Sequence, residues 1–234
     1  MNSYYSWNKA RPTLKSAKES GSNWLVGYIC VNSPVESVPY GQSVIPANRL
    51  DYIEALAERT LAEVPGNVLE VGVYKAGSLL PLARALNENP TCERYGAYGI
   101  DTFTGHPYTD GHPVHPKGKY SDVDFGELER FLITTGLFDR IQLHKGRVED
   151  IWPTLELPKF SFVHIDCDLY LPVKFCAQQV PRLMNKGGVL FFDDYGHEHC
   201  PGATRAIKEI FPNHPFTEVS MEDDGTRWSC FMNF

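Results

Sequence analysis

The chain has 234 residues, 42% of them hydrophobic, with a formal net charge of -7 and a sequence pI of about 5.6. That is too much apolar material for a disordered chain, and the length fits one α/β domain with some additional N-terminal structure. An acidic surface repels phosphate backbones and anionic lipids, which excludes nucleic acid and membrane surfaces as expected partners. No apolar run is long enough to span a bilayer, and Met1 to Ala10 has no basic region followed by an apolar stretch. The six cysteines, Cys30, Cys92, Cys167, Cys176, Cys200 and Cys230, form no CxxC pair and read as free thiols in a reducing compartment. The expected location is the cytoplasm.

Residues 1 to 45 are polar and aromatic and show no clean period. They read as an N-terminal segment, a substrate cover or dimer arm, ahead of a main domain over 46–234. Leu50, Ile53, Leu56, Ala57 and Leu61 then recur at helical spacing until Pro65-Gly66. Asn67 to Val73 predicts a buried strand and Gly77 to Leu86 a helix, with Pro81 tolerable only in its first turn. Tyr95 to Ile100 is a strand. Residues 102–122 form a loop rich in Gly, Pro and His, long enough to be a lid. Phe125 to Thr135 is a helix, Ile141 to His144 a strand, Val148 to Leu155 a short helix and Phe160 to Ile165 a strand. A helix near Val173 to Leu183, a strand from Gly188 to Phe192 and a helix from Ala203 to Phe211 follow. Phe216 to Met221 and Arg227 to Phe234 read as a hairpin turned by Glu222-Asp223-Asp224-Gly225. The expected fold class is α/β: a doubly wound, mostly parallel seven-stranded sheet ending in an antiparallel hairpin. That ending resembles the class I methyltransferase fold more than the dinucleotide-binding fold, and the GxGxxG pattern is absent.

Four constellations sit where such a sheet places its ligands, beyond the carboxyl ends of the strands. In the first, Glu70-Val71-Gly72-Val73-Tyr74 runs into Ala76-Gly77-Ser78 as a strand–turn–helix. Gly72 lets a ligand approach the backbone, and Glu70 can hold the ammonium of a methionine moiety; an ordinary tight turn reads the same way. In the second, Asp101 ends the next strand and can accept ribose hydroxyls, of NAD or of S-adenosylmethionine, or can cap a helix. In the third, Gly146-Arg147-Val148-Glu149-Asp150 would lie over an adenine, or supply acid to a helix N-terminus.

The fourth is the most specific. His164-Ile165-Asp166-Cys167-Asp168 closes one strand, and Phe191-Phe192-Asp193-Asp194-Tyr195-Gly196 the next. Three or four carboxylates at one sheet edge repel each other unless a cation joins them, and oxygen ligands favour Mg²⁺, with Mn²⁺ or Ca²⁺ also suited. The alternative is that each Asp caps the helix that follows. His197-Glu198-His199-Cys200 carries softer donors that suit zinc, but lacks the rest of a four-ligand pattern. His106, His112 and His115 in the long loop are expected substrate contacts.

The residues at this point resemble the macrocin and mycinamicin type of sugar O-methyltransferases. The resemblance runs from about Ile45 to Phe211, through Asn48-Arg49-Leu50, Glu70-Val71-Gly72-Val73, Ile100-Asp101-Thr102-Phe103-Thr104-Gly105, Gly146-Arg147-Val148-Glu149-Asp150, Asp166-Cys167-Asp168-Leu169-Tyr170 and Asp193-Asp194-Tyr195-Gly196. It implies a Mg²⁺-dependent enzyme that moves a methyl group from S-adenosylmethionine to a hydroxyl of a small molecule, a sugar or glycosylated natural product, and that works as a homodimer. It implies metal ligands at Asp166, Asp193 and Asp194, and a general base at Asp168. It implies cofactor contacts at Glu70, Gly72, Ser78, Asp101 and Glu149, with Val73, Tyr74, Thr102, Gly146 and Asp166 beside them. Glu70, Gly72, Tyr74 and Ser78 are also similar to the catechol O-methyltransferases. The chain departs from the pattern with Ala76-Gly77 in place of Gly-Gly, and with Leu171-Pro172-Val173 in place of a polar triplet. The alternatives are an NAD-dependent oxidoreductase and an inactive protein that binds S-adenosylmethionine.

Overall fold

A computed structural model describes residues 38–110, 113–213, 216–220 and 227–234. Most of the N-terminal segment, His112 and the Glu222–Gly225 turn lie outside the described residues. The order of elements is α1 (Ala47–Glu63), β1 (Asn67–Val71), α2 (Leu79–Glu88), β2 (Ala97–Asp101), α3 (Phe125–Thr134), β3 (Ile141–Lys145), α4 (Val148–Ile151), β4 (Phe160–Ile165), α5 (Tyr170–Gln179), β5 (Met184–Phe192), α6 (Pro201–Ile210), β6 (Thr217–Ser220) and β7 (Arg227–Asn233). The strands form one seven-stranded sheet in the order β3-β2-β1-β4-β5-β7-β6. The first five are parallel, and β7 pairs antiparallel with both β5 and β6. This is the expected doubly wound sheet with its terminal hairpin.

Alternation along the strands builds two apolar layers. Val68, Phe162 and Phe191 pack with α1, α2 and α3 on one face. Leu69, Val163 and Phe192 pack with α4, α5 and α6 on the other. Each such fully buried side chain contributes about 1.5–3 kcal/mol by leaving water.

Several boundaries differ from the sequence reading by a few residues, and three of them have a clear local reason. α2 begins two residues late, at Leu79, because Gly77 lies against the backbone of Gln42 and Ser43 and stays outside the helix. Pro81 falls in its first turn, where a missing N–H costs nothing. α5 ends at Gln179 and continues as a 3₁₀ turn over Val180–Leu183, because Pro181 cannot donate the next helical hydrogen bond. β5 starts at Met184 instead of Gly188, since Met184 pairs with Phe160 before an irregularity lets Val189 pair with Phe162.

One glycine joins two strand ends. Gly72 has φ +95°, and a Cβ there would stand 1.7 Å from the carbonyl oxygen of Asp166. The turn after β1 and the end of β4 are therefore pressed together through backbone. Gly72→Ala is expected to cost about 3 kcal/mol or more, from the unfavourable φ and the forced separation of the two loops. A denaturant midpoint within error of wild type would disprove this.

Candidate active site

The parallel register explains why the acids meet. Val71 pairs with Ile165, and Ile165 with Phe192, so the next residue of each strand leaves the sheet at one level. The Asp166 N–H donates to the Val71 carbonyl at 2.9 Å and the Asp193 N–H to the Ile165 carbonyl at 3.0 Å. Asp166 and Asp193 thus emerge side by side above His164, while the Asp194 carboxylate lies with Asp168 and Cys200. Asp193 and Asp194 are buried, and Asp166 and Asp168 are partly exposed.

A buried row of charges runs beneath them. Glu70 is fully buried, and its Oε1 is 2.9 Å from His164 Nδ1. His164 Nε2 faces Asp193 Oδ1 at 3.7 Å, and Asp193 Oδ2 meets Arg49 of α1 at 2.8 Å. Burial works against the charged imidazole, but the carboxylates of Asp193 and Glu70 on either side win and push its pKa up to about 10. His164 is thus an imidazolium between two carboxylates. Burial raises the carboxyl of Glu70 even so, partly offset by His164 and Ser78. Glu70 Oε2 and Asp193 Oδ1 are buried without a hydrogen-bond partner.

The acids above the row are strained electrostatically. Burial first, then Asp193 and Asp194, push the Asp166 carboxyl well above the ordinary range. Burial, then Asp168 and Asp193, push Asp194 up to about 8. Asp168 goes the other way. Burial opposes its charge, yet the hydrogen bond with His106 and the nearby His115 and Lys119 hold it below the usual carboxylate range. Its backbone has φ +58°, an uncommon conformation that Asp tolerates, and its N–H donates to Asp194 Oδ2 at 2.9 Å.

The residues assigned to a cofactor gather around the turn after β1. Asp101 does not point into open space. Its Oδ2 accepts from the N–H groups of Val73 (2.7 Å) and Tyr74 (2.8 Å), and its Oδ1 from that of Phe103 (2.8 Å). Thr102 Oγ1 donates to the Gly105 carbonyl. Ser78 is buried next to Glu70. The Gly146 N–H donates to the Asp101 carbonyl, and Glu149 Oε1 is buried with no hydrogen-bond partner. Tyr74 donates its hydroxyl to Asp122 Oδ1 at 2.8 Å, and Lys75 pairs with Asp122 at 2.7 Å, which ties the far end of the long loop to this turn. The loop also docks on α5, where the N–H groups of Tyr170 and Leu171 donate to Asp110 Oδ2 and the Tyr108 hydroxyl.

Two members of the site went unassigned by sequence reasoning. Arg49 carried a signal: it stands four residues before Ile53 on the buried stripe of α1, a place where a cation needs a partner. His164 was a polar residue in an apolar strand, directly across the register from Glu70.

A parallel sheet closed by an antiparallel β5-β7-β6 edge, with acids at the ends of β1, β2, β4 and β5, has the class I methyltransferase fold. The O-methyltransferase NovP superposes with a TM-score of 0.69 at 21% identity, covering 82% of this chain and 81% of that one. The sequence model of the macrocin-O-methyltransferase (TylF) family matches residues 32–221, and the chain belongs to that family. Mycinamicin III 3''-O-methyltransferase of Micromonospora griseorubida is 26% identical over 202 residues, 80% of this chain and 77% of the relative. A tetracenomycin-C 4'-O-methyltransferase of Streptomyces olivaceus, whose name specifies a dimethoxy-rhamnosyl substrate, is 24% identical over 195 residues, 79% of this chain and 73% of the relative. Among the described residues, no helix is long and apolar enough to cross a membrane.

Removing one partner of the buried row leaves the others uncompensated. His164→Gln is expected to destabilise the fold by about 3–5 kcal/mol at neutral pH, measured by denaturant unfolding. The folded value of about 10 lies above the ordinary 6.5, so the contribution of His164 is complete below pH 6.5 and fades as pH rises to 10. The gap between wild type and variant should shrink over that window; a gap constant with pH would refute the imidazolium.

Proposed function

We propose that the chain moves the methyl group of S-adenosylmethionine to a hydroxyl of a glycosylated small molecule, with Mg²⁺ held by Asp166, Asp193 and Asp194. The observation that carries this reading is the crowding of these three acids. Burial and the neighbouring carboxylates raise two of them above the ordinary range, and Asp193 has a buried oxygen with no hydrogen-bond partner. The donor set is all oxygen, which suits a hard dication. Arg49 supplies part of the missing charge, through Asp193 Oδ2. A dication held by these acids would supply the positive charge that makes an acceptor hydroxyl more acidic.

The rest is done by the chain's own groups. Glu70, Ser78 and the turn over Gly72, Val73 and Tyr74 receive the methionine part of the donor. Asp101 and Thr102 sit at the ribose level, and Gly146 and Glu149 at the adenine level. Orientation of donor and acceptor is the main source of rate in a direct transfer, since the sulfonium methyl is already electrophilic. Asp168 receives the hydroxyl proton. Held below the usual carboxylate range, it is a weak base, so the hydroxyl must be acidified before Asp168 can take its proton. The loop over residues 102–122 covers the acceptor, and the rhamnosyl substrate of the S. olivaceus relative supports a sugar there.

Titration calorimetry with S-adenosylmethionine, in Mg²⁺ and then in EDTA, tests the reading together with Asp193→Asn. We expect cofactor binding in both proteins, a Mg²⁺ site in wild type only, and a fall in turnover of at least about 100-fold in the variant. Near-native turnover in the variant or in EDTA would sink the metal assignment; absence of cofactor binding would sink methyl transfer itself.

A further inference from the structure

The His-Glu-His-Cys motif lacked partners in the sequence, and the fold brings them from two other places. Cys200 precedes α6. Its Sγ lies 3.4 Å from Nε2 of His115 and 3.5 Å from Oδ1 of Asp168. His115 Nδ1 is 3.5 Å from the same Asp168 oxygen, and His106 Nε2 is 3.0 Å from Oδ2. The ligand atoms of His106, His115 and Asp168 all fall within 4.8 Å of one another, and so do those of Asp168, Asp194 and Cys200. His106, His115 and Cys200 are buried, and His106 Nδ1 has no hydrogen-bond partner. Lys119 Nζ is 3.5 Å from His115 Nδ1, which leaves Nε2 as the nitrogen for a ligand on the Cys200 side.

We infer that His106, His115, Asp168 and Cys200 form a second cation site, selective for a zinc-like transition metal and bordering the all-oxygen acids at Asp194. Two imidazoles, one carboxylate and one thiol are a borderline-to-soft set that Mg²⁺ does not use. The spacing also fits. Four ligands at about 2.0–2.3 Å from a tetrahedral zinc stand about 3.3–3.8 Å apart. Cys200 Sγ meets that spacing with His115 Nε2 (3.4 Å) and with Asp168 Oδ1 (3.5 Å), and His106 Nε2 stands 3.0 Å from Asp168 Oδ2. His197 and His199 of the motif are not members; His199 turns instead to Glu198 at 3.3 Å. Asp168 belongs both to this site and to the proposed transfer. A metal here would withdraw the proton acceptor and pin two points of the long loop to the start of α6. The inhibition this predicts rests on the proposed function; the binding does not.

The test uses the full chain with Mg²⁺ saturating, titrated with Co²⁺ as a spectroscopic probe and then with Zn²⁺ against a chromophoric chelator. One equivalent of Co²⁺ should give the intense visible bands of a four-coordinate ion and a near-ultraviolet thiolate-to-cobalt band, and Zn²⁺ should bleach both. Cys200→Ser should lose the thiolate band and bind Zn²⁺ at least about tenfold more weakly. Should that variant fold poorly, His106→Gln should show the same weakening with the thiolate band kept. Asp193→Asn and Cys167→Ser should leave the band in place. A pale octahedral Co²⁺ spectrum, a thiolate band that survives in Cys200→Ser, or one that disappears in Asp193→Asn would overturn the site. In methyl-transfer assays, Zn²⁺ should inhibit wild type at least about tenfold more strongly than Cys200→Ser. Positive spectra in a protein that transfers no methyl group would uphold the site and defeat the proposed function.

Discussion

Parallel strands end together, and in this sheet three neighbours end in acids that share one poorly hydrated space. Everything around the site answers that crowding. His164 lies between Glu70 and Asp193 as a buried cation, Arg49 reaches in from α1, and His106 with His115 neutralises Asp168 from the loop. Even so, Asp166 and Asp194 stay above their ordinary range. Charge of one sign can be buried this densely only where function repays the cost in stability.

The compensation is arranged by distance from the sheet. Beneath the acids it comes from the regular elements: a histidine in β4 and an arginine in α1. Above them it comes from a loop, whose ends are fixed by Asp122 to Tyr74 and Lys75, and by Asp110 and Tyr108 to the start of α5. Asp168 stands at the boundary. It is the acid held ionised by residues of the loop, while its neighbours wait for charge from elsewhere.

Much of this was legible in the sequence because strand ends are marked by abrupt changes from apolar to acidic residues. Glu70, Asp101, Asp166 and the Asp193-Asp194 pair were all found that way, and the alternation of strands and helices gave the sheet and its hairpin. Positions that depend on register between distant segments were harder. The facing of Glu70 and His164 across β1 and β4 follows from pairing, which no local pattern states. The approach of His115 to Cys200 spans 85 residues and depends on how a loop folds back. Helix ends shifted where a proline or a backbone contact overrode periodicity, as at Pro181 and Gly77. Asp101 shows a different gap: a strand-end acid was expected at a ligand, and it also fastens the backbone of the neighbouring turn.

The arginine on α1 has a thermodynamic consequence of its own. Arg49 and any dication at the three acids claim the same carboxylate, Asp193, so each lowers the affinity of the site for the other. Linkage would make the exchange reciprocal at the proposed site: whatever loosens the first helix would raise the affinity of the acids for a cation, and a cation bound there would loosen the helix by the same free energy. The first helix would then compete for these acids as well as wall them in.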